Sequence, residues 1–541
     1  MRDLPRSAWR ILPAVLAFSL LAAQIAIPWT VPHFVTQDGP SYLYSAMVAK
    51  SVLWHQQPYA SLYAINPHLV PSWGSTILFV LIAALAGPSH VEAWAMGVML
   101  CVGFFSLSYA IRSLSPAWMQ FTPLSNFLLQ TWFLWIGFYN FYLGMALVPL
   151  GIGFYIRRNG RLTVRAAIAL GAGLTILFFV HLLAAAILGM VLVMLAIWLH
   201  FVLPALGFDA AADQRERQER PQQVVMLLAA ITPVILLGLI YAHGATSGLV
   251  FHLNLLEAWY QFPMHAFATT GGFAGGQWYL WPAVLGLMVI AALGMLPAEW
   301  RTAKGGIAMA GLAVFLIYLI VPDSGLGGNQ VKVRFVWVVF ILGGLLVASA
   351  ARLQPLRTPI AIFVAACLAF NLASTARTVS AYSRAVEDYL GALAAIRPGS
   401  NVIRVRFPTP AVPERYGYPQ IGRDPLFHMD AYGAATGGYI DLSDYQPPTT
   451  DFPVVFNSTL DHEQQFNLLS LEHPSQDETA NLDAILHQLP ISIDYAIVVA
   501  DASSSAEGVA KVAAELDSGM QVIAQSPAPP FVRVYRRIGA P

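Results

Sequence analysis

"HFVTQDGPSYLYSA", residues 33–46, follows directly on an apolar run that starts at Ile11. Asp38, Gly39 and Pro40 together read as a helix start, with a short acceptor side chain beside unpaired amides and proline in the first turn. From Pro40 to Trp54 the pattern is one helix. Leu43, Met47 and Trp54 form its apolar stripe, and Tyr42 and Tyr44 suit a headgroup layer, so it is expected to lie along a membrane surface. "NPHLVPSW", residues 66–73, ends the segment with two prolines and is rigid and non-helical. A carboxylate fixed at a helix start, at the mouth of a helical bundle, can also take a proton from a hydroxyl.

The surroundings decide what that bundle is. Of the 541 residues, 57% are hydrophobic and 11% charged, against about 25% charged in soluble proteins. Mean hydropathy is +0.60. Apolar runs recur near 11–32, 72–86, 91–111, 124–137, 140–156, 163–180, 182–203, 223–242, 279–297, 305–322, 334–351 and 358–375. This is a mainly α polytopic membrane helix bundle of about 11–13 spans, followed by a soluble α/β domain. Zero net charge gives no electrostatic case for nucleic acid. Cys101 and Cys367 sit inside apolar runs as small buried hydrophobes.

The basic N-terminus precedes a long run whose A-x-A-like stretch lies inside it, so an uncleaved first span is preferred to a signal peptide. Arg2, Arg6 and Arg10 place that end inside, as do Arg157, Arg158, Arg161 and Arg165, then Arg215, Arg217 and Arg220, then Arg301 and Lys304, then Arg352 and Arg357. These clusters leave 33–71 as a first outer loop, 243–279 and 323–333 outside, and the domain from 376 to 541 outside. Twelve full crossings from an inside start would end inside. One early run is therefore not a simple crossing, or one crossing is missed, and the short proline-flanked 72–86 is the suspect.

In residues 376–541, "NVIRVRF" and "DYAIVVAD" read as buried strands and "SAEGVAKVAAELDSG" as an amphipathic helix, with "MQVIAQS" and "FVRVYRRI" as further strands. No Walker loop, strand-linked GxGxxG or HExxH is present.

Two features could hold an anion. "PDSGLGGNQVKVRF", residues 322–335, joins a glycine-rich run, able to form an amide nest, to Lys332 and Arg334. Snorkelling at a span end is the ordinary explanation for such cations, but positive charge is disfavoured on the outer side. His243, His252 and His265 share an outer loop with Glu257, at spacings that do not match metal ligands on one helix. Glu257, His243 and His265 are kept as accessory candidates. "TTGGFAGGQWYLWP", residues 269–282, reads as an interfacial turn, with a lid over a lipid portal as the alternative. "DHEQQFNLLSLEHP", residues 461–474, reads as an exposed polar helix ended by Pro474, with metal binding by His462 and His473 beside Glu463 and Glu472 as the alternative.

"QDGPSYLYSA" after a first span, the many-span body and the outer α/β domain resemble the glycosyltransferase-C superfamily, the polyprenyl-phosphate-sugar-dependent transferases of the protein mannosyltransferase and aminoarabinose transferase group. "GFYNFYLG", residues 137–144, and "KVRF", residues 332–335, are similar to segments of bacterial members. The resemblance covers the architecture of the whole chain, but its sharp motif covers about a dozen residues. It implies Asp38 as the catalytic acid–base residue, a polyprenyl-phosphate-linked sugar as donor, and an acceptor glycan, lipid or protein. It also implies residence in a bacterial cytoplasmic (inner) membrane. Many members carry a second acidic residue directly after the first, where this chain has Gly39, and a Lys-Pro-Pro segment where this chain has "NPHLVPSW". Both departures weigh against metal-assisted chemistry, so no cofactor is certain and a divalent metal stays open.

The expected roles are then Asp38 as general base and Lys332 with Arg334 for the donor phosphate. The runner-up is a non-catalytic membrane scaffold that anchors the outer domain for envelope assembly. A transporter ranks last, because internal repeats and charges at span centres are lacking.

Overall fold

The computed structural model describes residues 8–207, 214–244, 255–270, 280–323, 330–407, 424–449, 451–471, 482–500, 506–528 and 531–539. The glycine-rich runs at 324–329 and 271–279, with His252 and His473, lie outside the described residues. Among the described residues, eight helices are long and apolar enough to cross a membrane, and three shorter apolar helices cover Gly74–Ala86, Val164–Val180 and Trp281–Leu293. The chain is a polytopic helical membrane protein with a C-terminal sheet region.

The chain divides into two compact units. One comprises residues 1–26, 96–134 and 139–375, and the other 27–95, 135–138 and 376–541.

The first unit is helical. The most enclosed of the eight long apolar helices is Val331–Ser349, which packs on Ala303–Ile320, Leu280–Leu293 and Leu255–Thr270. It is apolar nearly all round, as a buried helix must be. Small residues let its neighbours approach. A Cβ on Gly343 would lie 2.5 Å from Met288 Sδ, the close contact that glycine permits between membrane helices.

The run 124–137 is not one span. It breaks into Thr122–Leu129 and Trp132–Ile136 around Gln130, whose ψ is 76°. The carbonyls freed at the first helix end are taken up. Trp337 Nε1 donates to Leu128 O at 2.8 Å, and Tyr142 OH to Leu129 O at 3.0 Å. Buried backbone acceptors need such partners, and in a membrane water does not supply them.

The second unit holds the strands β1 (Tyr63–Ile65), β2 (Asn401–Arg406), β3 (Ile440–Asp441), β4 (Val454–Phe456), β5 (Tyr495–Ala500), β6 (Met520–Gln525) and β7 (Phe531–Arg537). Five form a mixed sheet in the order β3-β2-β5-β7-β6, parallel at β2–β3 and β2–β5, antiparallel at β5–β7 and β6–β7. The Ala506–Asp517 helix connects β5 to β6. β1 pairs antiparallel with β4, Tyr63 opposite Phe456, so residues near 63 and near 455 are built into one sheet.

The Gly39–Leu53 helix forms where expected but does not lie free on a membrane surface. It packs against Gly74–Ala86 and Met429–Gly437, and Tyr42, Leu43 and Tyr44 are buried. Tyr44 OH meets Tyr63 OH at 3.1 Å, and Tyr63 OH donates to Asp441 O at 2.9 Å. The tyrosines find protein partners for their hydroxyls, which removes the reason for a headgroup position. Gly74–Ala86 has 13 residues, about 20 Å of helix against about 30 Å of hydrocarbon. Cys101 and Cys367 are only half-buried, and both are free thiols.

Candidate active site around Asp38

Asp38 stands at the N-cap position of the Gly39–Leu53 helix, but its side chain makes no capping hydrogen bond. Thr36 does that work: its Oγ1 accepts from Gly39 N at 3.1 Å. The same hydroxyl donates to Glu92 Oε1 at 2.6 Å, and Thr36 N donates to that oxygen at 2.8 Å. The expected capping role of Asp38 is thus corrected. A neighbour two residues earlier satisfies the helix start, and the aspartate side chain is directed elsewhere.

Its backbone is held independently. Asp38 N donates to Ile136 O at 2.9 Å. Gly137 follows at φ +92°, where a side chain would be strained, and a Cβ there would sit 2.5 Å from Thr36 Oγ1 and 2.7 Å from Gly39 N. Glycine is what lets the two backbones meet.

Gly39 has a different reason. A Cβ at this position would overlap the Glu92 carboxylate. The resemblance left a second acidic residue missing at 39. The Glu92 carboxylate fills that space, buried at 2% exposure. Glu92 is the lone charged residue of the run 91–111, and that isolation was its signal in the sequence.

Gln37 and His428 face the Asp38 carboxylate. Gln37 Nε2 donates to Asp38 Oδ1 at 3.2 Å, while Gln37 Oε1 accepts from Asp424 N at 3.0 Å. His428 Nε2 lies 3.9 Å from Asp38 Oδ1. Nothing in the sequence around His428 marked it. The segment is anchored by β2: Arg404 Nη1 donates to Phe427 O at 2.6 Å and Arg406 Nη1 to Leu426 O at 3.0 Å. Arg404 also pairs with Asp430 at 2.5 Å, and Arg406 with Asp424. Two buried arginines thus fix the backbone that carries His428.

The first unit carries the other expected residues. Lys332 and Arg334, on the first turn of Val331–Ser349, are both buried. Asp323 caps this turn, its carboxylate accepting from Lys332 N at 3.4 Å. Arg334 donates from Nη1 to His181 Nε2 at 3.2 Å, and its guanidinium lies 4.8 Å from the Phe141 ring centroid. An arginine has no acceptor, so His181 Nε2 is the acceptor and that ring is neutral there. Phe141 in turn meets the His181 ring edge to face at 5.2 Å. A cation fixed by a ring face and an imidazole, instead of trailing to the surface, is not a snorkelling side chain.

His265 is half-buried, its Nδ1 3.1 Å from Tyr318 OH, and it lies within the field of Asp323 and Lys332. Glu257 is exposed and accepts from Gln261 Nε2 at 2.9 Å. His243 is exposed in the last turn of its helix. The structure therefore groups His265 with Lys332 and adds His181 to Arg334, while Glu257 and His243 stand on the surface. The His462–Ser470 helix forms as expected, capped by Asp461.

Over 99% of both chains the protein superposes on a solved structure, ArnT from Cupriavidus metallidurans bound to undecaprenyl phosphate, with TM-score 0.51 and 12% identity. The chain shares its fold with ArnT. The apo structure of ArnT aligns at TM-score 0.47 and 16% identity over 98% of both chains. No family model matches the chain, and no curated protein matches it by sequence.

Proposed function

We propose that this protein is a membrane glycosyltransferase that moves a sugar from a polyprenyl-phosphate donor to a hydroxyl acceptor, at the outer face of a bacterial cytoplasmic membrane. The observation that carries the reading is Asp38. Its carboxylate stands at a helix start that Thr36 caps in its place, oriented by the Gln37 amide that donates to its Oδ1. Support comes from the fold shared with an ArnT that binds undecaprenyl phosphate, and from two buried cations on one helix turn. Buried ionisable residues are costly, and such groups cluster at functional sites.

In the proposed step the acceptor oxygen bonds to the sugar's anomeric carbon as Asp38 takes the hydroxyl proton. The bond from that carbon to the phosphate oxygen breaks, with inversion, and polyprenyl phosphate leaves. Lys332 and Arg334 neutralise the charge that grows on the leaving phosphate. Asp38 supplies the general-base contribution, typically 10²–10⁴-fold in rate. No group of three or more His, Cys, Asp or Glu is arranged to hold a metal among the described residues. The proposed transfer has no step through one.

The test is transfer from a synthetic polyprenyl-phosphate sugar by protein in liposomes. Asp38→Asn keeps the shape and removes the base, so the rate should fall at least about 100-fold with donor binding retained. Unchanged transfer in Asp38→Asn would remove Asp38 from the chemistry.

A further inference from the structure

We infer that a furrow between the Leu280–Leu293 helix and the start of the Arg357–Leu393 helix holds one chain of an anionic phospholipid, with Arg352 and Arg357 on the lipid's phosphate. The inference goes beyond the transferase reading and does not rest on it.

Ala283, Leu287, Leu356, Pro359, Ile360 and Phe363 line the furrow, which has a volume of about 330 Å³ and is open along one side. All six side chains are hydrocarbon. A polar group placed among them would find no hydrogen bond, so the furrow accepts a hydrocarbon chain. Leu356 and Phe363 are 51% and 43% exposed, and an open apolar groove on a membrane bundle meets lipid. Pro359 is tolerated on this wall because it stands in the first turn of its helix, where a missing amide costs no helical bond.

Two cations stand at one end. Arg357 follows Leu356 directly and opens the Arg357–Leu393 helix. Arg352 lies against the other wall: its Cδ is 3.6 Å from the place that a Cβ on Gly294 would take, just past the end of Leu280–Leu293. Arg352 is exposed and Arg357 half-buried. Among the described residues neither pairs with a carboxylate. Snorkelling explains an arginine at the end of a span, but it does not explain the apolar furrow that begins beside it.

The surrounding charge selects the headgroup. Glu299 is the one acidic residue of the sequence between Glu257 and Asp323, and none occurs from 324 to 386. Glu299 is already committed. Its Oε1 accepts from Lys304 Nζ at 2.8 Å and from Ala351 N at 2.9 Å, and its Oε2 from Leu296 N at 3.0 Å. Arg301 is exposed on the turn that follows it. A choline or ethanolamine ammonium has no open carboxylate to meet on these elements, whereas a phosphate meets guanidiniums that can each grip two of its oxygens. An anionic headgroup is therefore favoured over a zwitterionic one.

The position separates this lipid from the sugar donor. Lys332 and Arg352 lie at opposite ends of the 19-residue Val331–Ser349 helix, about 28 Å long against about 30 Å of hydrocarbon. A phosphate at Arg352 thus belongs to the leaflet opposite the one that Lys332 faces.

The test is native mass spectrometry of the purified full-length protein with equal amounts of cardiolipin and phosphatidylcholine. Wild type should retain cardiolipin in preference. Arg352→Gln/Arg357→Gln should lower that retention at least about fivefold, as the charge-assisted contacts are lost. Ala283→Phe, which fills the furrow and leaves both arginines, should lower it as well, and this arm stands if the arginine variant fails to fold. Lys332→Ala/Arg334→Ala should leave it unchanged, whether or not the protein transfers sugar. Equal retention of the two lipids by wild type would overturn the inference. So would loss in the arginine variant alone, since attraction to the headgroup would then need no furrow. A preference for undecaprenyl phosphate over cardiolipin that Ala283→Phe removes would assign the furrow to the polyprenyl lipid and overturn it too.

Discussion

At the scale of single residues, the helix start at 36–39 separates two tasks that the sequence presents as one. A carboxylate before Gly-Pro-Ser reads as a cap, and capping preferences justify that reading. The structure gives the cap to Thr36 and the negative charge behind the turn to Glu92. Gly39 is the residue that makes this possible, because the Glu92 carboxylate occupies the place of a side chain. Gly39→Ala should therefore lower the thermal transition, at a cost of about 1–3 kcal/mol from overpacking. An unchanged transition, followed by fluorescence or differential scanning calorimetry in detergent, would mean that Glu92 can move aside freely. No pattern in the sequence could have joined Thr36 to a glutamate 56 residues away, since the link is made only by packing.

At the scale of elements, legibility followed periodicity. β2, β5, β6 and β7 came out where alternation and β-branched runs placed them, and so did the Ala506–Asp517 helix. The run 124–137 did not, although Ser125, Asn126, Gln130 and Thr131 interrupt it, because scattered polar residues in a short apolar run carry no period to mark an end. Its break is sustained by Trp337, remote in the chain, and by Tyr142 on the following helix. The Gly39–Leu53 helix was legible in extent but not in setting, since an apolar stripe does not say whether lipid or protein covers it.

The end of β3 carries a cost that pH can expose. Burial first, and then the neighbouring Asp430 carboxylate, push Asp441 well above the ordinary carboxylate value of 3.8. The folded state holds this proton to higher pH than the unfolded chain does. Its contribution is undiminished below the ordinary value and is lost as pH rises from there toward the raised one. Asp441→Asn removes the titration and can still accept from Ser443 N, as Asp441 Oδ1 does at 3.0 Å. As pH rises above the ordinary carboxylate value of 3.8, the thermal midpoint of the variant should fall less steeply than that of wild type. Parallel curves would show that Asp441 ionises as readily folded as unfolded.

At the scale of the molecule, composition alone indicated a polytopic membrane protein with a sheet-bearing C-terminal region, because an 11% charged chain with repeated apolar runs has no other stable solution. The number of crossings was less legible. Two early runs proved too short or too broken to be counted by hydropathy. Neither could the sequence show that residues 27–95 fold with residues 376–541, a partition written in the β1–β4 pairing and in the packing of the Gly39–Leu53 helix on Met429–Gly437.

The central claim is that this protein takes a polyprenyl-phosphate donor and holds its phosphate with Lys332 and Arg334. The most direct measurement is native mass spectrometry of the purified protein with undecaprenyl phosphate, against an equal amount of phosphatidylglycerol. Wild type should retain undecaprenyl phosphate in preference, and Lys332→Ala/Arg334→Ala should lose at least about tenfold in affinity, as expected for removing charge-assisted contacts to a phosphate. Equal retention of both lipids by wild type, unchanged in the double variant, would contradict the claim and favour a membrane scaffold.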